Sequence, residues 1–222
     1  MKKYLLLVLI LSLTLSSCGG KDLRGKLIWH GNLSSNNVYL TFDDGPNPNS
    51  TPMVLDILKR NNVKATFFLL GERAKSYPAI VKRIKREGHE IGNHTYTHSD
   101  GYNINDAKIL REIKDSHDTV KNITGSSPRY FRPPFGFFNY RYFKEAEKLG
   151  YITVLWTFDV GDWGDIKAEE LEKKTLSKVK GGSIILLHDG GKGREEIIKA
   201  LPNIIIGLKR KGFEIRTLNE IN

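Results

Sequence analysis

Val38-Tyr39-Leu40-Thr41-Phe42-Asp43-Asp44-Gly45-Pro46 reads as a short buried strand ending in two acids and a turn. Ser50 or Thr51 then caps a helix that carries Pro52 in its first turn. The same unit, an apolar run followed by a helical pattern, recurs down the chain. Ala65 to Leu70 precedes a helix opened by Pro78, with Ile80, Val81 and Ile84 on one face and Gly88 as its stop. Glu90 to Asn93 precedes a helix carrying Leu110, Ile113, His117 and Val120 at helical offsets. Tyr130-Phe131 is a brief strand whose helix ends at Leu149-Gly150, and Tyr151 to Phe158 is β-branched and aromatic. A charged helix over about 167–179, a strand at Ser183 to Leu187, helical pieces interrupted near Pro202 and a last strand at Phe213 to Leu218 complete seven units. Strands joined by helices imply a parallel α/β sheet with right-handed crossovers. An open doubly wound sheet and a closed barrel both satisfy that pattern.

The polar residues fall at one end of these units. Asp43 and Asp44 end the first strand, His94 and His98 follow the third, and Arg132 follows the fourth. Asp159 and Asp162 follow the fifth, and His188 ends the sixth. In parallel α/β folds the C-terminal edge of the strands is where sites are built.

The chemistry follows from residue types. His94 and His98 stand four apart in H-T-Y-T-H, and on a helical turn that spacing points both imidazoles to one side. With a carboxylate they make a Zn²⁺-type set that leaves positions open, although a structural pair on a loop has the same spacing. Side-chain direction alternates along a strand, so one of Asp43 and Asp44 is expected to ligate while its neighbour faces a water. Asp44-Gly45-Pro46 also suits a plain turn, but two acids leaving a buried strand are costly without partners. Hydrolysis of an amide needs a general acid opposite the base, and His188 is the available residue. Arg132 is placed to keep a carboxylate ionised, and Asp159 to hold the His188 imidazole and raise its pKa. His117 reads as a core-edge residue, His89 as the start of a strand, and His30 as part of a tether.

Five segments together resemble the motifs of the polysaccharide deacetylase domain, carbohydrate esterase family four, also called the nodulation-factor deacetylase homology domain. They are Thr41-Phe42-Asp43-Asp44-Gly45-Pro46, His94-Thr95-Tyr96-Thr97-His98, Arg132-Pro133-Pro134-Phe135-Gly136, Asp159-Val160-Gly161-Asp162-Trp163 and Leu186-Leu187-His188, in that order. The resemblance runs from about Val38 to Leu218 and implies a distorted (β/α)₇ barrel in a single catalytic domain. It implies Asp44, His94 and His98 as ligands of one divalent metal ion, Zn²⁺ first, with Co²⁺, Mn²⁺ or Ni²⁺ as alternatives. Asp43 would be the base, oriented by Arg132, and His188 the acid, tuned by Asp159. Trp163 and Leu186 would line a pocket for the acetyl methyl, and a backbone N–H near Phe135 would meet the oxyanion. Phe135 stands where the family commonly has Tyr, and Val160-Gly161 replaces a more usual polar pair.

The ends and the composition bound the rest. Lys2 and Lys3 precede an apolar run from Leu5 to Leu15, too short for the ~20 residues that span a bilayer. Residues 1–17 are therefore expected to be a signal peptide. Leu15-Ser16-Ser17-Cys18-Gly19 resembles a lipoprotein box, which makes Cys18 the expected lipidation site and membrane anchor at the cell envelope. Residues 18–36 read as the lipidated N-terminus and tether, and 37–222 as the deacetylase domain. Cys18 is the one cysteine, which excludes disulfides and thiolate metal sites from that domain. The formal charge of +10 suits proximity to an anionic wall. No zinc-finger spacing, helix-turn-helix pattern or basic run with interleaved aromatics points to nucleic acid. The expected activity is removal of N-acetyl groups from N-acetylglucosamine units, with peptidoglycan as the foremost polymer. An O-acetyl esterase on xylan or another glycan, and a non-catalytic carbohydrate-binding lipoprotein, are the competing readings.

Overall fold

The computed structural model describes residues 27–136 and 140–221. Residues 1–17, expected to be a signal peptide, Cys18 and the first part of the expected tether lie outside the described residues. The elements in chain order are β1 Leu27–Ile28, β2 Asn37–Gly45, α1 Thr51–Arg60, β3 Thr66–Leu69, α2 Gly71–Ser76, α3 Pro78–Arg86 and β4 Glu90–Asn93. Next come α4 Asp106–Thr124, β5 Tyr130–Phe131, α5 Tyr140–Lys148, β6 Ile152–Val154 and β7 Phe158–Asp159. The chain continues with α6 Ala168–Lys178, β8 Ile184–His188, α7 Glu195–Arg210 and β9 Glu214–Arg216.

All strand pairs are parallel, in the order β1-β6-β5-β4-β3-β2-β8-β7, with β9 against the start of β2. β7 lies at one edge and β6 next to the other edge, yet only residues 155–157 separate them in the chain. The sheet must therefore curl back on itself. This curled half-barrel, helices outside, is the (β/α)₇ architecture and not an open doubly wound sheet.

β2 is the central stave. Its residues Val38 to Asp43 are buried, as a strand covered on both faces requires. Val38, Leu40 and Phe42 pack outward with Val54, Leu55 and Leu58 of α1 and Ile204, Ile205 and Leu208 of α7. Tyr39 belongs to a separate interior cluster with Phe68, Tyr130, Val154 and Ile184.

Four sequence expectations are corrected. Part of the supposed tether is fold: Leu27 and Ile28 pair with Thr153 and Val154, adding an edge strand. The run Tyr151 to Phe158 is not one strand but two. Arg132 takes the carbonyls of Val154 (Nε, 3.2 Å) and Leu155 (Nη2, 3.0 Å), which leaves the ladder broken between β6 and β7. α7 runs unbroken through Pro202. A proline inside a helix costs roughly 3 kcal/mol, and burial of Ile197, Leu201, Ile204, Ile205 and Leu208 on both sides of it offsets that. Finally, Ser50 and Thr51 do not cap α1 with their side chains. Both hydroxyls donate to Asp189 instead, Ser50 to its carbonyl (2.6 Å) and Thr51 to its carboxylate (2.5 Å).

Candidate active site

The strand ends meet where the sheet curls. Asp43 and Asp44 converge on one site, although strict alternation would separate them. Asp44 leaves extended geometry, with φ 69°, and the β2–β3 register shifts between Asp43 and Gly45. That local twist turns the Asp44 carboxylate toward the histidines. Gly190 packs against it so closely that a Cβ there would lie 1.9 Å from the Asp44 carbonyl oxygen. Only glycine fits.

His94 and His98 do not sit on a helical turn. Thr95 (φ 71°) and His98 (φ 64°) are left-handed, and the segment loops out of β4. The loop is held from below by Glu112 of α4, a residue no sequence pattern marked. Its buried carboxylate accepts from the backbone N–H groups of Tyr96 (3.1 Å) and Thr97 (2.8 Å) and from the Thr97 hydroxyl (2.9 Å). Asn93 and Thr95 add side-chain acceptors for the N–H groups of Thr95 and His98.

The outcome is a cluster of Asp44, His94 and His98 whose ligating atoms lie within 4.8 Å of one another. Asp44 Oδ1 is 3.5 Å from His94 Nε2 and 3.2 Å from His98 Nε2. Two donors bound at the ~2.0–2.1 Å typical of Zn²⁺ in a tetrahedral arrangement lie about 3.4 Å apart. His94 Nδ1 donates to the Arg132 carbonyl at 2.7 Å, which fixes the tautomer with the Nε2 lone pair toward Asp44. Asp44 Oδ1 is buried without a hydrogen-bond partner. A carboxylate and two imidazole nitrogens aimed at one point need a cation or added protons between them. Burial opposes the Asp44 charge, but His94, His98 and His188 outweigh it and hold its carboxyl well below the usual range. These three residues fit a divalent ion.

Asp43 stands beside the cluster, its Oδ2 3.8 Å from His94 Nε2. Its Oδ1 accepts from Arg132 Nη1 at 2.8 Å. Arg132 is fully buried, and the same Nη1 also donates to the Thr41 hydroxyl at 2.8 Å. The guanidinium also lies over the Phe68 ring, 4.1 Å from its centroid. A buried guanidinium so enclosed fixes one orientation of the Asp43 carboxylate.

His188 ends β8, directly beside Asp43 in register. Its partner is Asp162, which corrects the expectation for Asp159. Asp162 Oδ1 accepts from His188 Nδ1 and Oδ2 from the His188 backbone N–H, both at 2.7 Å. Asp159 serves elsewhere: it accepts from Gly161 N–H (2.6 Å) and from Trp163 Nε1 (2.8 Å). Gly161, at φ 80°, reverses the chain between the two acids, so Asp162 faces inward. Burial lowers the His188 pKa, but the bond to Asp162 and the charges of Asp162, Asp43 and Asp44 raise it to about 9.

Of the remaining expected positions, two are exposed and one is buried. Trp163 is 65% exposed, and Leu186 is buried in β8. Phe135 is left-handed (φ 61°) and exposed, its ring 4.5 Å from that of His98. His117 is half-buried and bonded to the Tyr151 hydroxyl, and His89 accepts from Ala65 N–H, both structural roles.

Residues 30–154 match the profile of the family described as Polysaccharide deacetylase. The chain belongs to the polysaccharide deacetylase family. Among curated relatives, a peptidoglycan-N-acetylglucosamine deacetylase of Bacillus cereus is 39% identical over 199 residues, covering 89% of this chain and 93% of that one. A chitooligosaccharide deacetylase of Bradyrhizobium sp. is 34% identical over 206 residues, covering 87% and 94%. Among solved structures, a peptidoglycan N-acetylglucosamine deacetylase in complex with a benzamide derivative superposes at TM-score 0.85 with 38% identity, covering 88% of this chain and 92% of that one. The curled barrel and the five motif segments are thus those of a polysaccharide deacetylase.

Proposed function

We propose that this polysaccharide deacetylase hydrolyses the N-acetyl groups of N-acetylglucosamine units, with peptidoglycan as its polymer. One observation carries the reading. A base held by an arginine and an imidazole held by a carboxylate flank the Asp44–His94–His98 cluster from neighbouring strands. The names of the relatives in Bacillus cereus and Bradyrhizobium support the amino-sugar substrate.

Asp44, His94 and His98 would hold the divalent ion, with Zn²⁺ the best match to a His₂Asp set. Such an ion supplies Lewis acidity, which makes water a nucleophile near neutral pH and polarises a carbonyl. Asp43 accepts a proton from the attacking water as its oxygen bonds to the acetyl carbon. His188 then gives a proton to the amide nitrogen as the C–N bond breaks, releasing a free amine and acetic acid. Asp43 returns its proton to solvent and His188 takes one up, which closes the cycle. Trp163 and Leu186 receive the acetyl methyl, and a backbone N–H near Phe135 meets the carbonyl oxygen.

Acetate release should be measured on peptidoglycan, chitooligomers, poly-N-acetylglucosamine and acetylxylan. Release from the amino-sugar polymers is expected, abolished by a chelator and restored by Zn²⁺, Co²⁺, Mn²⁺ or Ni²⁺. Release from acetylxylan alone would replace this reading with an O-acetyl esterase. Glycan binding without turnover under every metal would replace it with a binding protein.

Export and anchoring at the cell envelope belong to the same proposal, supported by the basic, apolar and Leu15–Gly19 segments. A labelled fatty acid is expected to enter the wild-type chain in cells and not Cys18→Ser. Equal labelling of both would remove the anchor.

A further inference from the structure

We infer that Arg194 is a positioning residue for the reaction, holding the Asp162–His188 pair in place from outside the motif segments. The inference rests on the general-acid role proposed for His188. Arg194 precedes α7 and is only 9% exposed. Its Nε and Nη2 both donate to the Lys192 carbonyl, at 2.9 and 2.7 Å, which locks the guanidinium to its own loop. The free end, Nη1, donates to the Asp162 carbonyl at 3.0 Å and lies 3.9 Å from Asp162 Oδ2.

The segment 160–166 needs such a tie. Gly161 and Gly164 loosen it, and its other backbone bonds are local, from Gly164 to Gly161 and from Ile166 to Gly164. Val160 and Ile166 anchor its two ends in the core. Among the described residues, Asp162 is fixed from elsewhere by His188 and Arg194 alone. Both carboxylate oxygens of Asp162 are already committed to His188, so the orientation of that pair is inherited from the backbone of Asp162. The backbone is what Arg194 holds. Its charge is permanent, so Asp162 keeps a cationic neighbour in the part of the cycle when His188 is neutral. A buried carboxylate left without one is strongly disfavoured.

The test compares two substrates in the full, metal-loaded chain. An N-acetyl chitooligomer needs its leaving nitrogen protonated, whereas 4-nitrophenyl acetate releases a phenolate that needs no proton. Misplacing a reacting group by about 1 Å costs on the order of 100-fold. Arg194→Met is therefore expected to lower kcat on the chitooligomer about 10- to 100-fold with KM unchanged, and to leave ester hydrolysis within about threefold. Arg194→Lys keeps the charge but loses the fork, and is expected to fall between the two. Should Arg194→Met fail to fold, Arg194→Lys carries the comparison by the same amide-to-ester ratio. Equal losses on both substrates, or none on either, would overturn the inference if His188→Ala does show the amide-selective loss. If His188→Ala shows no such selectivity, the general-acid role and this inference fall together.

Discussion

Asp43→Asn is expected to reduce acetate release from chitooligomers by about 10²- to 10⁴-fold, the range for loss of a general base, while metal content is retained. Asparagine is the informative replacement. It has nearly the same volume, and its carbonyl can still accept from Arg132 Nη1 at the place of Oδ1. Alanine would strand a fully buried guanidinium, and breaking a buried ion pair from one side costs roughly 3–5 kcal/mol. A loss of activity in alanine would then mix chemistry with stability. In asparagine the geometry survives and the proton acceptor does not. Asparagine also removes the anion that faces Arg132, so some loss of thermal stability is expected. A protein still folded at the assay temperature, with unchanged metal stoichiometry and a collapsed kcat, identifies Asp43 as the base. Wild-type turnover in Asp43→Asn would remove it from that role.

The sequence exposed the arrangement of this site more completely than its local geometry. That the polar residues belong to one edge was legible because each follows an apolar run, and parallel strands bring such ends together whatever the loops do. The seven units were legible for the same reason. Local backbone twist was not. Asp44 and Thr95 are left-handed without being glycine, and no pattern in T-F-D-D-G-P or H-T-Y-T-H announces that. The two carboxylates consequently converge where alternation would have parted them. The assignment of Asp159 to His188 failed on the same ground, because two acids three positions apart in a short loop are equivalent until the turn at Gly161 is known. Leu27-Ile28 was hidden by length: two apolar residues in a polar stretch carry no period, and only the unpaired edge of β6 gives them a place. Glu112 and Arg194 lay beyond reach for another reason. Each acts on backbone groups of a distant loop, and a contact with a main chain leaves no residue-type signature at its other end.

His188→Ala is expected to slow N-deacetylation about 10²- to 10⁴-fold, with a far smaller loss on an activated acetate ester. The pH dependence gives the sharper test, through Asp162. A general acid works only while protonated, so its pKa sets the alkaline limb of kcat/KM. His188 is raised to about 9 against an opposing burial, and the bond and charge of Asp162 are the largest raising causes, ahead of Asp43 and Asp44. A divalent cation held by Asp44, His94 and His98 offsets the pull of Asp43 and Asp44 but leaves the contact with Asp162 in place. The wild-type limb should therefore lie above the ordinary histidine value of ~6.5 and no higher than about 9. Asp162→Asn removes the dominant raising cause and leaves burial, so the limb should move to lower pH by more than about one unit, which is 1.4 kcal/mol of lost preference for the protonated imidazole. Asp159→Asn serves as the contrast. Its carboxylate binds Trp163 and Gly161 and does not touch His188, so it should alter substrate affinity while the limb stays where it is. A limb that moves in Asp159→Asn and stays in Asp162→Asn would reverse the assignment, because the position of that limb reports which carboxylate the imidazole feels.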